Sequence, residues 1–441
     1  MAENLTLDIL RASVAGQAAA FRCRRRLQPA GGEGDKIFPP TFAGAVYATE
    51  QRRVAGRDTP VSCVLLDSVQ SQANRMELAL QEAVDAGKIP LPLVEVDFSE
   101  YGPTGDVTTD EKTGRLIDTV GKITSLQIPH RLADAILRDS ELDGVPFRKS
   151  GAGKALNTIS LANATPVFQL CPTALIFGMW DSTGPKGGLG AKFERALVSE
   201  IVGIGLVPGI KTQSRVDPLI TKTTGITLYQ KAGGGWTMKE EEAIKDKGKA
   251  VKLRKDGKVS EANLGNVTPA FHKYGRGAEG IDPLTGDQAR EGRVAPGGVT
   301  VEYAEQVTTL SLICLRRLRF PINGRNDPAT DQAARTVLAA LGLCAAALAF
   351  EGGLGLRSRS LLWPESPMVW ELLERPGTPP RQFELTGDGA IALFKQAVEV
   401  GNTAGLTWRE KPLALKPSSR LLELVRLSQL QTSTEGAEGE A

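Results

Sequence analysis

The segment 337–350, VLAALGLCAAALAF, is the longest apolar run in the chain. It falls short of the ~20 residues that a bilayer crossing requires. It therefore reads as part of an Ala-rich helix, 329–350, enclosed by the rest of the fold. Upstream, VTVEYAEQVTTLSLICLRRLRFP reads as two strands. PVSCVLLD contains a short β-branched run, 61–66, that reads as a buried strand. The following DSVQSQANRMELALQEAVDAGKIP reads as a helix. Asp67 serves as its cap and Gln70 completes a capping box. Val69, Ala73, Met76, Leu80 and Val84 form its apolar stripe, and Gly87 and Pro90 end it. Strand–helix–strand order followed by returning strands implies a mixed fold, α/β or α+β, and periodicity does not choose between them.

With 441 residues, the chain suits two domains or one domain with large insertions. LPLVEVDF reads as a further strand, 129–137 as a helix, and TPVFQLCPTALIFGMW as apolar strands. A helix is expected over 191–202. Phe193, Leu197 and Ile201 would share one face and Lys192, Arg195 and Ser199 another. Segment 211–297 is rich in Gly and charge, lacks apolar periodicity, and reads as a long insertion with hairpin character. DGAIALFKQAVEVG and SSRLLELVRLSQL read as amphipathic helices. The expected boundaries are 1–210, 211–297, 298–375, 376–430 and a disordered tail, 431–441.

Charge is nearly balanced, with 53 Lys and Arg against 51 Asp and Glu. Any preference for a charged partner must then come from local clusters. Two histidines, His130 and His272, leave little for histidine metal sites or acid–base pairs. Five cysteines without a CxxC pair fit free thiols in a reducing compartment, and no signal peptide is read, so a cytoplasmic location is expected. No cofactor is expected. GPKGGLGAKF and SGAGKALN both fail the P-loop pattern, and GLGAKF lacks the third glycine of a dinucleotide fingerprint.

The basic run RCRRRL places Arg22, Arg24 and Arg26 on one face of a strand, with Cys23 and Arg25 on the other. That row suits a phosphate track, or a solvated edge strand. In GGEGDKIFPPTF, Phe38 beside Lys36 suits base stacking, or a loop anchor. Gln70, Asn74 and Arg75 lie away from the apolar stripe. His130 and Arg131 stand side by side within the expected 129–137 helix. The glycine-rich loop carries Lys186 and Lys192, with Arg195 beyond, and would offer amides and a helix dipole to a passing polyanion; it also reads as a plain turn. Asp67, Asp97 and Asp181 each follow an apolar run, but no spacing pairs them for a metal.

RRRLQPAGGEGDKIFPPTFAGAVYA, VLLDSVQSQANRMELAL, PHRLADAILRDS and TALIFGMWDSTGPKGGLGAKFERALVSEIVG together resemble the backbone subunit of type I-G (earlier I-U) CRISPR interference complexes, in the RAMP superfamily. The resemblance implies an α+β fold with a ferredoxin-like, RRM-like core, large insertions and a thumb-like hairpin. It implies a non-catalytic subunit, copies of which stack in a helical filament along a guide RNA (crRNA), beside other subunits of the complex and away from membranes. Target DNA would be read by base pairing with the guide. The RNA-binding set expected is then Arg22, Arg24, Arg25, Arg26, Lys36, Phe38, Gln70, Asn74, Arg75, His130, Arg131, Lys186, Lys192 and Arg195. The alternative is a metal-dependent ribonuclease like type III backbone subunits, for which Asp35 is the candidate carboxylate. No aromatic RNP1 pattern appears, so groove-and-loop binding is expected rather than stacking on the sheet.

Overall fold

A computed structural model of the chain describes residues 2–439 apart from 44–45, 107–109, 111, 183, 185–186, 188–189, 221, 223, 274–283 and 285–291, with side chains described to residue 432. The principal elements are α1 (Leu7–Ala15), β1 (Ala20–Pro29), β2 (Val61–Asp67), α2 (Val69–Asp85), β3 (Leu197–Ile204), β4 (Tyr303–Ser311), α3 (Pro328–Phe350), β5 (Leu354–Arg357), β6 (Ser360–Pro364), β7 (Val369–Leu373) and α4 (Gly387–Thr403). The fold is α+β.

Strands β7, β1, β4, β3 and β2 lie side by side in that order within a ten-stranded sheet. Each neighbouring pair is antiparallel. Along β1, Phe21, Cys23, Arg25 and Leu27 are buried, while Arg24 and Arg26 face solvent and Arg22 is half-buried. This is the alternation that a strand with one covered face requires. On the covered side, α3 lies against α1, α2 and α4. Gly342 brings α3 onto the sheet: a Cβ there would stand 3.3 Å from Leu310 and 3.6 Å from Leu197. By composition α3 is apolar enough to cross a membrane, yet 83% of its apolar window is buried inside the protein. Asp327 caps it by accepting from the amides of Ala329 and Thr330, with Pro328 in the first turn.

The strand over 61–66 and the α2 stripe appear where the sequence puts them, but the cap moves by one residue. Ser68 accepts from the Ser71 amide. Asp67 ends β2, is 1% exposed, and takes the Gln72 carboxamide at 2.6 Å and the Arg75 guanidinium at 2.8 Å. Gln70 is exposed and completes no capping box.

Several expected elements differ. In the run 299–321, read as two strands, β4 is followed directly by a short helix, Leu312–Arg316, whose first turn is capped by Ser311 accepting from the Cys314 amide. Residues 191–202 form no helix; Lys192–Phe193 pairs with Met179–Trp180, and β3 follows. In β3, Leu197, Ser199 and Ile201 are buried at a spacing of two, and sheet partners on both sides select that period. TPVFQLCPTALIF forms two short helices, Thr165–Leu170 and Thr173–Phe177, instead of strands. Segment 129–137 is a 3-10 turn, Arg131–Ala133, followed by Ala135–Arg138.

The chain between β3 and β4 leaves and returns through paired strands. Val207–Ile210 pairs with Pro296–Thr300, and Thr212–Arg215 with Val267–Phe271. Beyond this stem lie the hairpins Tyr229–Gln230/Trp236–Thr237 and Lys245–Asp246/Lys249–Ala250. A smaller five-stranded sheet contains Val94–Asp97 and Leu413–Pro417. The last helix, Ser419–Gly439, runs on into the segment read as a disordered tail.

Candidate nucleic-acid interface

The outward arginines of β1 meet carboxylates from both neighbouring strands. Arg22 pairs with Glu371 of β7 at 2.7 Å and Arg24 with Glu305 of β4 at 2.7 Å. The Glu305 hydrogen bond holds the Arg24 guanidinium above its ordinary pKa. Further along the same sheet, Arg52 pairs with Glu200 at 2.9 Å. The expected phosphate track is therefore largely neutralised within the fold. Arg26 differs: its guanidinium lies 4.2 Å from the centre of the Tyr303 ring and has no carboxylate partner among the described residues.

Arg25 leaves the expected interface. It is 3% exposed and donates to Gln306 Oε1 at 2.7 Å and to the Phe350 carbonyl at 3.1 Å. Burial lowers its pKa. The period of the strand turns it toward α3, so it ties the sheet to the end of that helix. Arg131 leaves as well. It is 8% exposed and forks onto Glu77 of α2 through two 2.7 Å hydrogen bonds. A third bond, of 2.9 Å, reaches the Gly178 carbonyl. His130 beside it is exposed, its amide donating to Asp134. Gln70 and Asn74 are exposed on α2.

Lys36, Phe38 and Arg75 come together with two residues that the sequence reading missed. The hairpin β5–β6 turns at Arg359, which has φ +57°. This turn lies over the 36–38 loop. Phe38 donates its amide to the Arg359 carbonyl at 3.2 Å, and the Phe38 carbonyl accepts from Ser360 Oγ at 2.6 Å and from Arg357 at 3.2 Å. The half-buried Phe38 ring has Arg359 at 5.2 Å and Lys36 Nζ at 5.7 Å from its centre. Arg75 donates to the carbonyls of Gly355 and Leu356, which joins α2 to the same hairpin. Arg357 also approaches Asp67 at 3.9 Å. Arg75 and Arg357 thus share the buried Asp67 carboxylate, while Lys36 and Arg359 flank the Phe38 ring, leaving local positive charge beside an aromatic ring. Such a surface suits phosphate with a stacked base or sugar. A sequence signal existed: LGLRSRSLLW alternates about a basic turn.

At the glycine-rich loop the expected geometry changes. In place of the helix expected over 191–202 stand the Lys192–Phe193 strand and β3, so the expected helix dipole is not presented. Gly187 and Gly190 donate their amides within the loop, to Gly184 and Gly187. Asp181 is 4% exposed and pairs with Arg148 at 2.5 Å. What remains available is Trp180, 53% exposed, with Lys192 Nζ 5.9 Å from its ring centre, and the exposed Arg195. Lys186 lies outside the described residues.

The three strand-end carboxylates do not gather. Asp67 is held by Arg75, Asp181 by Arg148, and Asp97 lies 3.6 Å from Lys122. Hydrogen bonds from Ser99 hold Asp97 below the usual carboxylate pKa. Asp35 is exposed and accepts from the Lys36 amide at 2.9 Å. Among the described residues, no group of three or more His, Cys, Asp or Glu is placed to hold a metal.

Residues 21–208 match the family model described as CRISPR-associated protein GSU0053. The match supports a CRISPR-associated protein. Its span takes in β1, β2, α2 and β3, and within it Lys36, Phe38 and Arg75; Arg357 and Arg359 lie beyond it. It also suggests action alongside other CRISPR components. No curated protein matches the chain.

Proposed function

We propose that the chain is the guide-RNA-binding backbone subunit of a type I-G (earlier I-U) CRISPR interference complex, a member of the RAMP superfamily. Copies line up in a filament along the spacer of a crRNA in the cytoplasm, with other subunits of the complex, and present it to target DNA. The subunit holds the RNA without cutting it. The observation that carries this reading is the Phe38 cluster. It places Lys36 and Arg359 over an aromatic ring, with Arg357 on the Phe38 carbonyl, and its 36–38 loop falls within the family match.

Two further features support it. Strands β1, β3, β4 and β7 with helices α2 and α3 run β-α-β-β-α-β along the chain and lie in the order β7-β1-β4-β3. With β2 set aside as an added strand, that arrangement is the one a ferredoxin-like core would have, and it supports the reading. The excursion between β3 and β4 has a paired stem and exposes Trp236, Met238 and Phe271, as a thumb-like arm that wedges between bases would. Contacts of this kind read backbone and ring faces, so binding is blind to sequence.

The test is RNA binding by the full chain with several unrelated oligoribonucleotides across a salt series. Lys36→Ala and Arg359→Ala each weaken every RNA by a similar factor and lower the salt slope by about 0.7 per lost contact. Loss confined to one sequence, or no binding to any RNA, overturns the proposal. Incubation of complementary RNA with Mg²⁺ tests the cleavage alternative. Cutting by the wild type that disappears in Asp35→Ala would make the chain a ribonuclease.

A further inference from the structure

The two ends of the β5–β6 hairpin carry opposite chemistry. The tip is basic, with Arg357 and Arg359. At the other end β6 pairs with β1, and Trp363 stands opposite Gln28 with 59% of its surface exposed. Leu361, two residues earlier, is 54% exposed. Trp363, Glu365, Glu33 and the Pro29–Gly32 turn wall an open cavity of about 510 Å³. Glu365 accepts from the Gln28 carboxamide at 2.9 Å. Neither Glu33 nor Glu365 has a cationic partner among the described residues. Elsewhere on this part of the sheet the carboxylates are matched: Glu371 by Arg22, Glu305 by Arg24 and Glu302 by Arg57. The unpaired negative charge is concentrated where an indole face is also open.

A phosphate chain would be repelled here. An arginine fits, because its planar guanidinium can stack on an indole while its N–H fork reaches carboxylates at the ring edge, and its weak hydration makes that transfer cheaper than for an ammonium. We propose that this cavity receives an arginine side chain from a protein partner, on a surface separate from the Phe38 cluster and independent of the RNA-binding reading.

The experiment uses the full chain labelled with 5-fluorotryptophan. Its five tryptophans give separable ¹⁹F signals, and Trp363→Phe assigns the one of interest. The probes are acetyl-Gly-Arg-Gly-amide, its lysine counterpart and a short oligoribonucleotide. The arginine peptide should shift the Trp363 signal saturably, with the lysine peptide weaker. The double variant Glu33→Gln/Glu365→Gln should bind the arginine peptide about tenfold more weakly, as expected for losing two charge-assisted contacts. No shift with the arginine peptide, or a shift undiminished in the double variant, overturns the proposal. So does displacement of the peptide by the oligoribonucleotide, which would assign the surface to nucleic acid.

Discussion

Arg131→Met separates a core arginine from an RNA contact. The substitution keeps the apolar stem of the side chain and removes the fork on Glu77, a residue 2% exposed. It also removes the donor of the Gly178 carbonyl. Arg131 has φ +51°, which Met inherits, so the comparison isolates the side chain. Breaking one partner of a buried pair leaves a buried charge uncompensated and costs about 3–5 kcal/mol. The double variant Glu77→Gln/Arg131→Met removes that charge and should recover most of the loss. Burial holds Glu77 above the usual carboxylate pKa even with Arg131 in place, so the folded protein binds its proton more tightly than the unfolded chain does. A raised carboxylate favours folding below its unfolded pKa, and that contribution fades as pH rises through the folded pKa. Without Arg131 the folded pKa rises further, so the penalty is greatest at neutral and higher pH and shrinks on acidification. Urea unfolding followed by far-UV circular dichroism at several pH values reads this directly, with RNA binding measured in parallel. If Arg131→Met stays within about 1 kcal/mol of wild type yet loses RNA affinity tenfold, the structural assignment is wrong.

The charge pairing on the sheet face gives a second prediction. Arg24→Ala should change RNA affinity less than Arg26→Ala, and Glu305→Gln, which frees Arg24, should steepen the salt dependence; equal losses for both arginines in binding assays would show that the pair opens on RNA. Thiol reactivity gives a third. Burial pushes the Cys344 thiol to about 12 and Cys23 to about 11, while Cys314 is the half-exposed cysteine. Iodoacetamide mass mapping of the native protein should therefore find Cys314 modified first, and early labelling of Cys344 would contradict its enclosure.

Single-element patterns were legible where one period dominated. The β1 alternation and the α2 stripe each mark a covered face, and the apolar run of α3 marks a helix enclosed on nearly all sides. The segment LVSEIV did not, because Phe193, Leu197 and Ile201 satisfy a helical spacing while Leu197, Ser199 and Ile201 satisfy a strand. Only the neighbouring β2 and β4 decide between them. The site was half legible for a related reason. Arginines in RCRRRL look alike in sequence, yet Glu305 and Glu371, hundreds of residues away, neutralise two of them, and α3 encloses a third. Conversely, Arg357 and Arg359 reach Phe38 only through the hairpin fold, and no local pattern near residue 38 announces them.

Strand β1 takes all of its sheet partners, β4, β6 and β7, from late in the chain. During synthesis it therefore emerges roughly 270 residues before the first of them, a wait on the order of 15–50 s at typical elongation rates. Through that interval Phe21, Cys23 and Leu27 have no sheet neighbours, and the bare edge invites pairing with other nascent chains. The arginines interleaved among them then act as gatekeepers, keeping the unfinished strand in solution until its partners leave the ribosome.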